Sequence, residues 1–133
     1  MRKVLFGLLL LISAGCLNED VVGDSTATGE YTLTTINDAA LPFTLSTSGT
    51  NKTELLDAVI SMFEGGTYSE TSHLRVTSNG VVTTQTRVDT GSYSFFGVSV
   101  TLVSSAGNGE RRGKIEGTKM TITEAGKNSV YRK

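Results

Sequence analysis

The chain of 133 residues has no tryptophan, one cysteine, one proline and one histidine. With a single thiol, Cys16, no disulfide can form within the chain, so stability must come from an ordinary core. The only histidine, His73, has no cysteine or second histidine to complete a metal-ligand set. Beside Thr71 and Arg75 it reads as part of a polar strand face. The same scarcity leaves nucleophilic catalysis without a His-centred base or an activated cysteine, and no cofactor motif stands out. Charge is sparse and balanced, twelve basic against thirteen acidic residues, which excludes the basic excess expected of a nucleic-acid binder. No apolar run reaches the roughly 20 residues that a membrane-spanning helix requires.

The N-terminus, in contrast, is rich in one pattern. Arg2 and Lys3 form a positive start, Val4 to Ile12 a short apolar run, and the small residues Ser13, Ala14 and Gly15 lead directly into Cys16. That order is expected of a secretory signal, with cleavage between Gly15 and Cys16. It resembles the lipobox of bacterial lipoproteins, although that family prefers Leu where this chain has Ser13. The resemblance implies a lipid on Cys16 and anchoring by two or three acyl chains. Each buried CH₂ contributes about 0.8 kcal/mol, so several chains hold where one is marginal. A lone thiol in an oxidising compartment would otherwise invite intermolecular pairing. Leu17 in place of Asp points, by the same resemblance, to the outer membrane. Ser13 and Gly15 also suit an ordinary signal peptidase, which would release a soluble secreted protein from the same site.

Three segments follow: a signal at 1–15, a lipidated N-terminus and tether at 16–28, and one domain at 29–133. The tether, LNEDVVGDSTAT after Cys16, is acidic and poor in bulky apolar groups, too poor to offset the entropy of ordering. Removing Arg2 and Lys3 with the signal leaves ten basic and thirteen acidic residues, a formal charge of −3. The basic residues gather late, at Arg111, Arg112, Lys114, Lys119, Lys127, Arg132 and Lys133 against Glu116 and Glu124. A solvated strand face explains them, with anionic lipid headgroups as the functional alternative.

The domain is rich in Thr, Ser, Val and Gly, in short alternating runs divided by turn signals. Val98, Val100 and Leu102 alternate with polar residues, as do Leu41, Phe43 and Leu45, then Tyr93 and Phe95. Asn37-Asp38, Gly65-Gly66, Asn79-Gly80, Gly107-Asn108-Gly109 and Gly126-Lys127-Asn128 separate them. Asn-Gly is the strongest of these, since a type I′ turn needs positive φ at both positions. Residues 54–63 fit two patterns. Leu55, Leu56, Val59, Ile60 and Phe63 share a helix face, with Asn51 and Glu54 as a capping box. Leu56, Ala58, Ile60 and Met62 share a strand face, and the β context on both sides favours the strand. The expected fold is all-β, an antiparallel up-and-down meander of about 8–10 short strands forming a closed or partly open barrel, because closure hides strand edges.

Gly29-Glu30-Tyr31 at the start of the domain resembles the Gly-x-Trp signature of lipocalins, with Tyr in place of Trp. By that resemblance Arg132 on the last strand stacks over the Tyr31 ring and closes the barrel end. A barrel of about eight strands can hold one small ligand, here an apolar one with Phe43, Leu45, Tyr93, Phe95 and Leu102 as the expected lining; the alternative is a filled barrel acting as a structural or interaction protein.

Two motifs invite chemistry. Asp89-Thr90-Gly91 matches the aspartic-protease triplet, whose mechanism needs two carboxylates sharing a proton. Running into Tyr93-Ser94-Phe95, it reads instead as the start of a strand, with Gly91 at a bulge or turn. Gly113-Lys114 ends a glycine-rich stretch, but Asn108 stands where a phosphate loop needs its first glycine, and Ile115 replaces Ser or Thr; a hairpin turn is expected. No catalytic residue, cofactor or metal site is assigned, and the membrane, through Cys16, is the expected partner.

Overall fold

The computed structural model describes residues 27–133; the signal, Cys16 and the tether up to residue 26 lie outside the described residues. Ten strands follow in order: β1 (Gly29–Ile36), β2 (Ala39–Ala40), β3 (Phe43–Ser48), β4 (Asn51–Phe63), β5 (Thr67–Ser78), β6 (Val81–Phe96), β7 (Ser99–Ser104), β8 (Glu110–Glu116), β9 (Lys119–Glu124) and β10 (Lys127–Arg132). Every ladder is antiparallel, and from β3 to β10 each strand pairs with its successor. β1 then pairs with β10 on one side and with β4 on the other, which closes β1 and β4–β10 into an eight-stranded barrel. Closure removes the edges that the barrel part of the meander would expose.

Turn chemistry sets several hairpins where the sequence places them, while the turns at 49–50, 97–98 and 117–118 fall outside the expected ones. Asn37 and Asp38 adopt φ of 49° and 64°, and Asn79 and Gly80 adopt 50° and 81°, the type I′ requirement. Segment 54–63 makes up the last ten of the thirteen residues of β4, a strand. Its neighbours β5 and β1 offer a ladder on each side, and that tertiary pairing overrides the helical spacing. Ala58, Ile60 and Met62 point inward and are buried. Leu56, expected on the same face, is the extra residue of a bulge between Leu55↔Leu74 and Asp57↔His73.

The lumen is filled by Tyr31, Leu33, Ile60, Met62, Tyr68, Val100, Leu102, Ile115, Met120, Ile122 and Tyr131, all buried. Room for these side chains comes from two glycines. Gly91 and Gly113 point inward from the middles of β6 and β8, where a Cβ would run into the Val103 and Thr121 carbonyl oxygens respectively. Neither is a turn residue. The glycine-rich turn lies earlier, at residues 105–109, and Gly91 sits in unbroken ladder opposite Tyr68, whose ring occupies the space a side chain would take. Substitution Gly113→Ala is expected to cost about 3 kcal/mol through overpacking, measured as a lowered urea midpoint. Thr121→Ala on the outer side of the same contact is expected to shift the midpoint little.

Strand lengths are unequal, and this shapes the molecule. β4, β5 and β6 have 13, 12 and 16 residues, whereas β7 to β10 have 6 or 7. β1 holds β4 only along Val59–Met62, and β7 holds β6 only along Gly91–Phe96. Beyond those points β3, β4, β5 and β6 continue as a four-stranded ribbon rising from the barrel wall. Its inner face carries Leu55 opposite Leu74, with Phe43 opposite Leu55.

Candidate functional site

Where the ribbon leaves the barrel, two acids face each other. Glu70 on β5 and Asp89 on β6 are register partners pointing into the lumen, an arrangement that is repulsive unless a cation intervenes. Arg111 on β8 supplies it, reaching across the lumen so that Nη2 lies 2.6 Å from Glu70 Oε2 and 3.6 Å from Asp89 Oδ2. The Nη2 atom is buried, and its contact is an ion pair rather than an aligned hydrogen bond. The guanidinium also sits 5.8 Å from the Tyr68 ring centroid.

Hydroxyls and an amide complete the cluster. Tyr68 donates to Asp89 at 2.7 Å, Ser104 at 2.6 Å and Asn108 at 3.3 Å, while Tyr131 donates to Glu70 at 3.0 Å. Burial pushes the Asp89 carboxyl upward, but the donors Ser104, Tyr68 and Asn108 and the Arg111 charge outweigh it and hold it below its usual value. Burial, then the nearby Glu70, raises Tyr131; burial, then the bond to Asp89, raises Tyr68. Desolvation works against the Arg111 charge, yet Glu70 beside it keeps the guanidinium protonated. The directions of these shifts favour an ionised Asp89 and protonated, uncharged tyrosines. The cluster is a fixed polar cross-brace, with its acidic and hydroxyl groups engaged by partners within the protein.

Asp89 is the member visible in the sequence, as part of the Asp-Thr-Gly triplet. Glu70, Arg111 and Tyr131 are not, because each meets the others only through the barrel register. Arg111 belongs inside the lumen, and so does not share the outward basic face of Arg112, Lys114, Lys119 and Arg132. Strand alternation separates them: Arg111, Gly113 and Ile115 turn inward, and Arg112 and Lys114 outward.

The expected stacking of Arg132 on Tyr31 is replaced by another pair. Arg132 is exposed and lies opposite Thr32, because it alternates with inward Tyr131. Lys133, one residue later, places Nζ 5.5 Å from the Tyr31 ring centroid and donates to the Thr28 carbonyl. Its own N–H bonds to Thr118 O at 2.9 Å. Burial, followed by the neighbouring Tyr93, raises the Tyr31 hydroxyl.

The residues expected around a cavity are dispersed. Leu102 is fully buried in the packed lumen; Phe43, Tyr93 and Phe95 pack against the core from its margin. Leu45 is 39% exposed because the β3–β4 register shifts between Thr44 and Ser46, leaving it as the bulged residue. Tyr93 and Phe95 instead line an open cleft of about 600 Å³ at the barrel end with Thr28, Glu64, Gly65 and Gly66. Tyr93 donates to Phe63 O at 2.9 Å there.

On the outer face of the ribbon, Glu54 accepts from Arg75 at 2.8 Å and pairs with Lys52 at 2.7 Å, and His73 Nδ1 lies 2.5 Å from Asp57 Oδ1. Among the described residues no group of three or more His, Cys, Asp or Glu side chains is arranged to hold a metal ion. No family model and no curated protein sequence matches the chain.

Two outcomes test the energetics. Arg111→Met leaves two facing carboxylates uncompensated and is expected to cost about 3 kcal/mol, while adding Glu70→Gln recovers part of the loss; a double-mutant cycle in urea measures both. The bonds to Arg75 and Lys52 hold Glu54 down from 4.5 to about 2. A carboxyl lowered in the folded state contributes fully above its unfolded value and loses that contribution as pH falls through the folded one. The urea midpoint should therefore decline between about pH 4.5 and pH 2, and Glu54→Gln should flatten that slope.

Proposed function

We propose that this protein is an exported, non-enzymatic lipoprotein of the bacterial cell envelope, held at a membrane by acyl chains on Cys16, whose barrel is a filled scaffold for contact with other proteins. The observation that carries the address is the position of the only cysteine, directly after a charged start, a short apolar run and three small residues. The packed lumen supports a scaffold over a carrier: Tyr31, Ile60, Met62, Tyr68, Leu102 and Met120 occupy the space a calyx would reserve for ligand. Asp89, bonded to Tyr68, Ser104 and Asn108, supports a bracing role in place of a catalytic one. The outer membrane follows from Leu17, on the resemblance to lipoproteins.

The lipocalin-like reading, a small apolar ligand, keeps one supporting observation. The end cleft with Tyr93 and Phe95 on its wall is open and half apolar in character, and it is the place such a ligand would enter.

Intact-protein mass spectrometry of the full chain extracted from native membranes addresses both. The expected mass lacks residues 1–15 and carries two or three acyl chains on Cys16, and Cys16→Ala is expected to leave the membrane fraction. An unmodified thiol on a chain starting at Cys16 would instead establish a soluble secreted protein. A small molecule retained under native ionisation would favour the ligand reading.

A further inference from the structure

The ribbon carries an open backbone edge whose pattern matches itself. Ser78 and Val81 flank the Asn79-Gly80 type I′ turn, so these two residues exchange both backbone hydrogen bonds. Counting from there, odd residues of β6 bond to β5, while Val82, Thr84, Thr86 and Val88 aim their N–H and C=O groups to the opposite side. The phase has an internal check: Thr90, next in that even series, accepts from Ser105 N at 2.8 Å on that side. β7 joins β6 only from Gly91 onward, so among the described residues nothing pairs with the edge from Val82 to Val88. All of residues 81–88 are exposed, with Val82 at 59% and Val88 at 63%.

Edges of this kind are ordinarily blunted by proline, charged side chains or a bulge, and this one carries a single charge, Arg87. Residues 81–88, VVTTQTRV, contain no proline, lysine or glycine, and the β5–β6 register runs from Thr67↔Ser92 to Ser78↔Val81 without a shift. The other margin of the ribbon, β3, is interrupted by the bulge at Leu45.

We infer that the Val82–Val88 edge pairs antiparallel with the same edge of a second copy of this chain, across a twofold axis at Gln85. This rests on the reading of the barrel as an interaction scaffold and names its partner; it does not require the lipid. In that register Val82 meets Val88 and Thr84 meets Thr86, each pair exchanging both backbone hydrogen bonds in the phase already present. The outer face then holds matched β-branched pairs, which stabilise antiparallel ladders. On the other face Arg87 meets Thr83, Asp89 meets Val81, and Gln85 meets Gln85, so no like charges are opposed. Such an interface is isologous and closes after two copies. Its single ladder makes a modest interface, and confinement of both copies to one membrane raises their effective concentration.

Cysteine cross-linking on whole cells producing the full chain tests the arrangement, with the unsubstituted chain as the background for Cys16. Gln85 faces itself in a non-hydrogen-bonded pair, about 4.5 Å between Cα atoms, within disulfide reach. Gln85→Cys should therefore give a disulfide-linked dimer on mild oxidation. Thr83→Cys should give none, since the two copies of that position stand about 13 Å apart along the strands. Adding Thr86→Pro to Gln85→Cys removes an outward N–H but no bond to β5, and Val88→Lys puts a charge on the exposed edge; each should abolish the linked dimer. Equal urea midpoints for these variants and the parent would show that the fold persists. Absence of a linked dimer in the Gln85→Cys variant would overturn the pairing, as would a dimer that survives both edge variants or one that forms instead through Thr47→Cys on β3. None of these outcomes bears on acylation of Cys16, which the mass measurement decides separately.

Discussion

Arg111 between Glu70 and Asp89 is the interaction on which the upper part of the barrel depends. Two carboxylates facing each other across a ladder would push β5 and β6 apart at the level where β6 loses β7 as a neighbour. The guanidinium draws β8 onto both of them, Tyr131 brings in β10, Ser104 brings in the end of β7, and Asn108 the β7–β8 connection. The brace therefore joins strands that are not sequence neighbours, at the height where backbone pairing around the ring stops being continuous. A cluster of this kind adds little net free energy relative to a well-packed apolar core, but removal of one partner is costly.

Below the brace the barrel is held differently. The lumen is apolar and tightly filled, two inward glycines make room for neighbouring backbone and rings, and β1 bonds to both ends of the meander. Lys133 finishes that end by reaching the Thr28 carbonyl and the Tyr31 ring. Above the brace, the ribbon has ladders on one side only at β3 and at the first half of β6. The described residues thus grade from a closed ring with a packed lumen to an open sheet, whose β6 edge β7 does not reach before Gly91. That polarity is what ties the architecture to the proposed scaffold role and to the proposed pairing at the open edge.

Much of the fold is legible in the sequence because β structure has a local grammar. Alternation at Val100–Leu102, Tyr93–Phe95 and Tyr31–Leu33, and Asn-Gly or paired glycines between some runs, locate strands and turns without tertiary information, whereas Val98, expected on the strand with Val100, stands in the β6–β7 turn. The departures arise where a single residue changes parity. A bulge at Leu45 turns it out of the face it shares with Phe43, and another at Leu56 displaces it from the row of Ala58, Ile60 and Met62. Arg132 and Lys133 exchange roles for the same reason, one step along the chain being one face of the sheet. Gly91 and Gly113 resemble turn residues in sequence because glycine also serves close approach between backbones, and sequence alone does not separate the two uses.

By itself, the sequence determined an all-β meander and several of its turns, since period-two alternation and turn residues are each carried by contiguous residues, while the turns at 49–50, 97–98 and 117–118 and the strand position of Gly113 were not read from it. Only the tertiary structure decided that β1 closes the ring against β4, that Glu70, Asp89 and Arg111 meet in the lumen, and that Val82–Val88 has no strand neighbour on its outer edge among the described residues. These depend on strand length and register summed around the barrel, a property of the whole ring that no single segment contains.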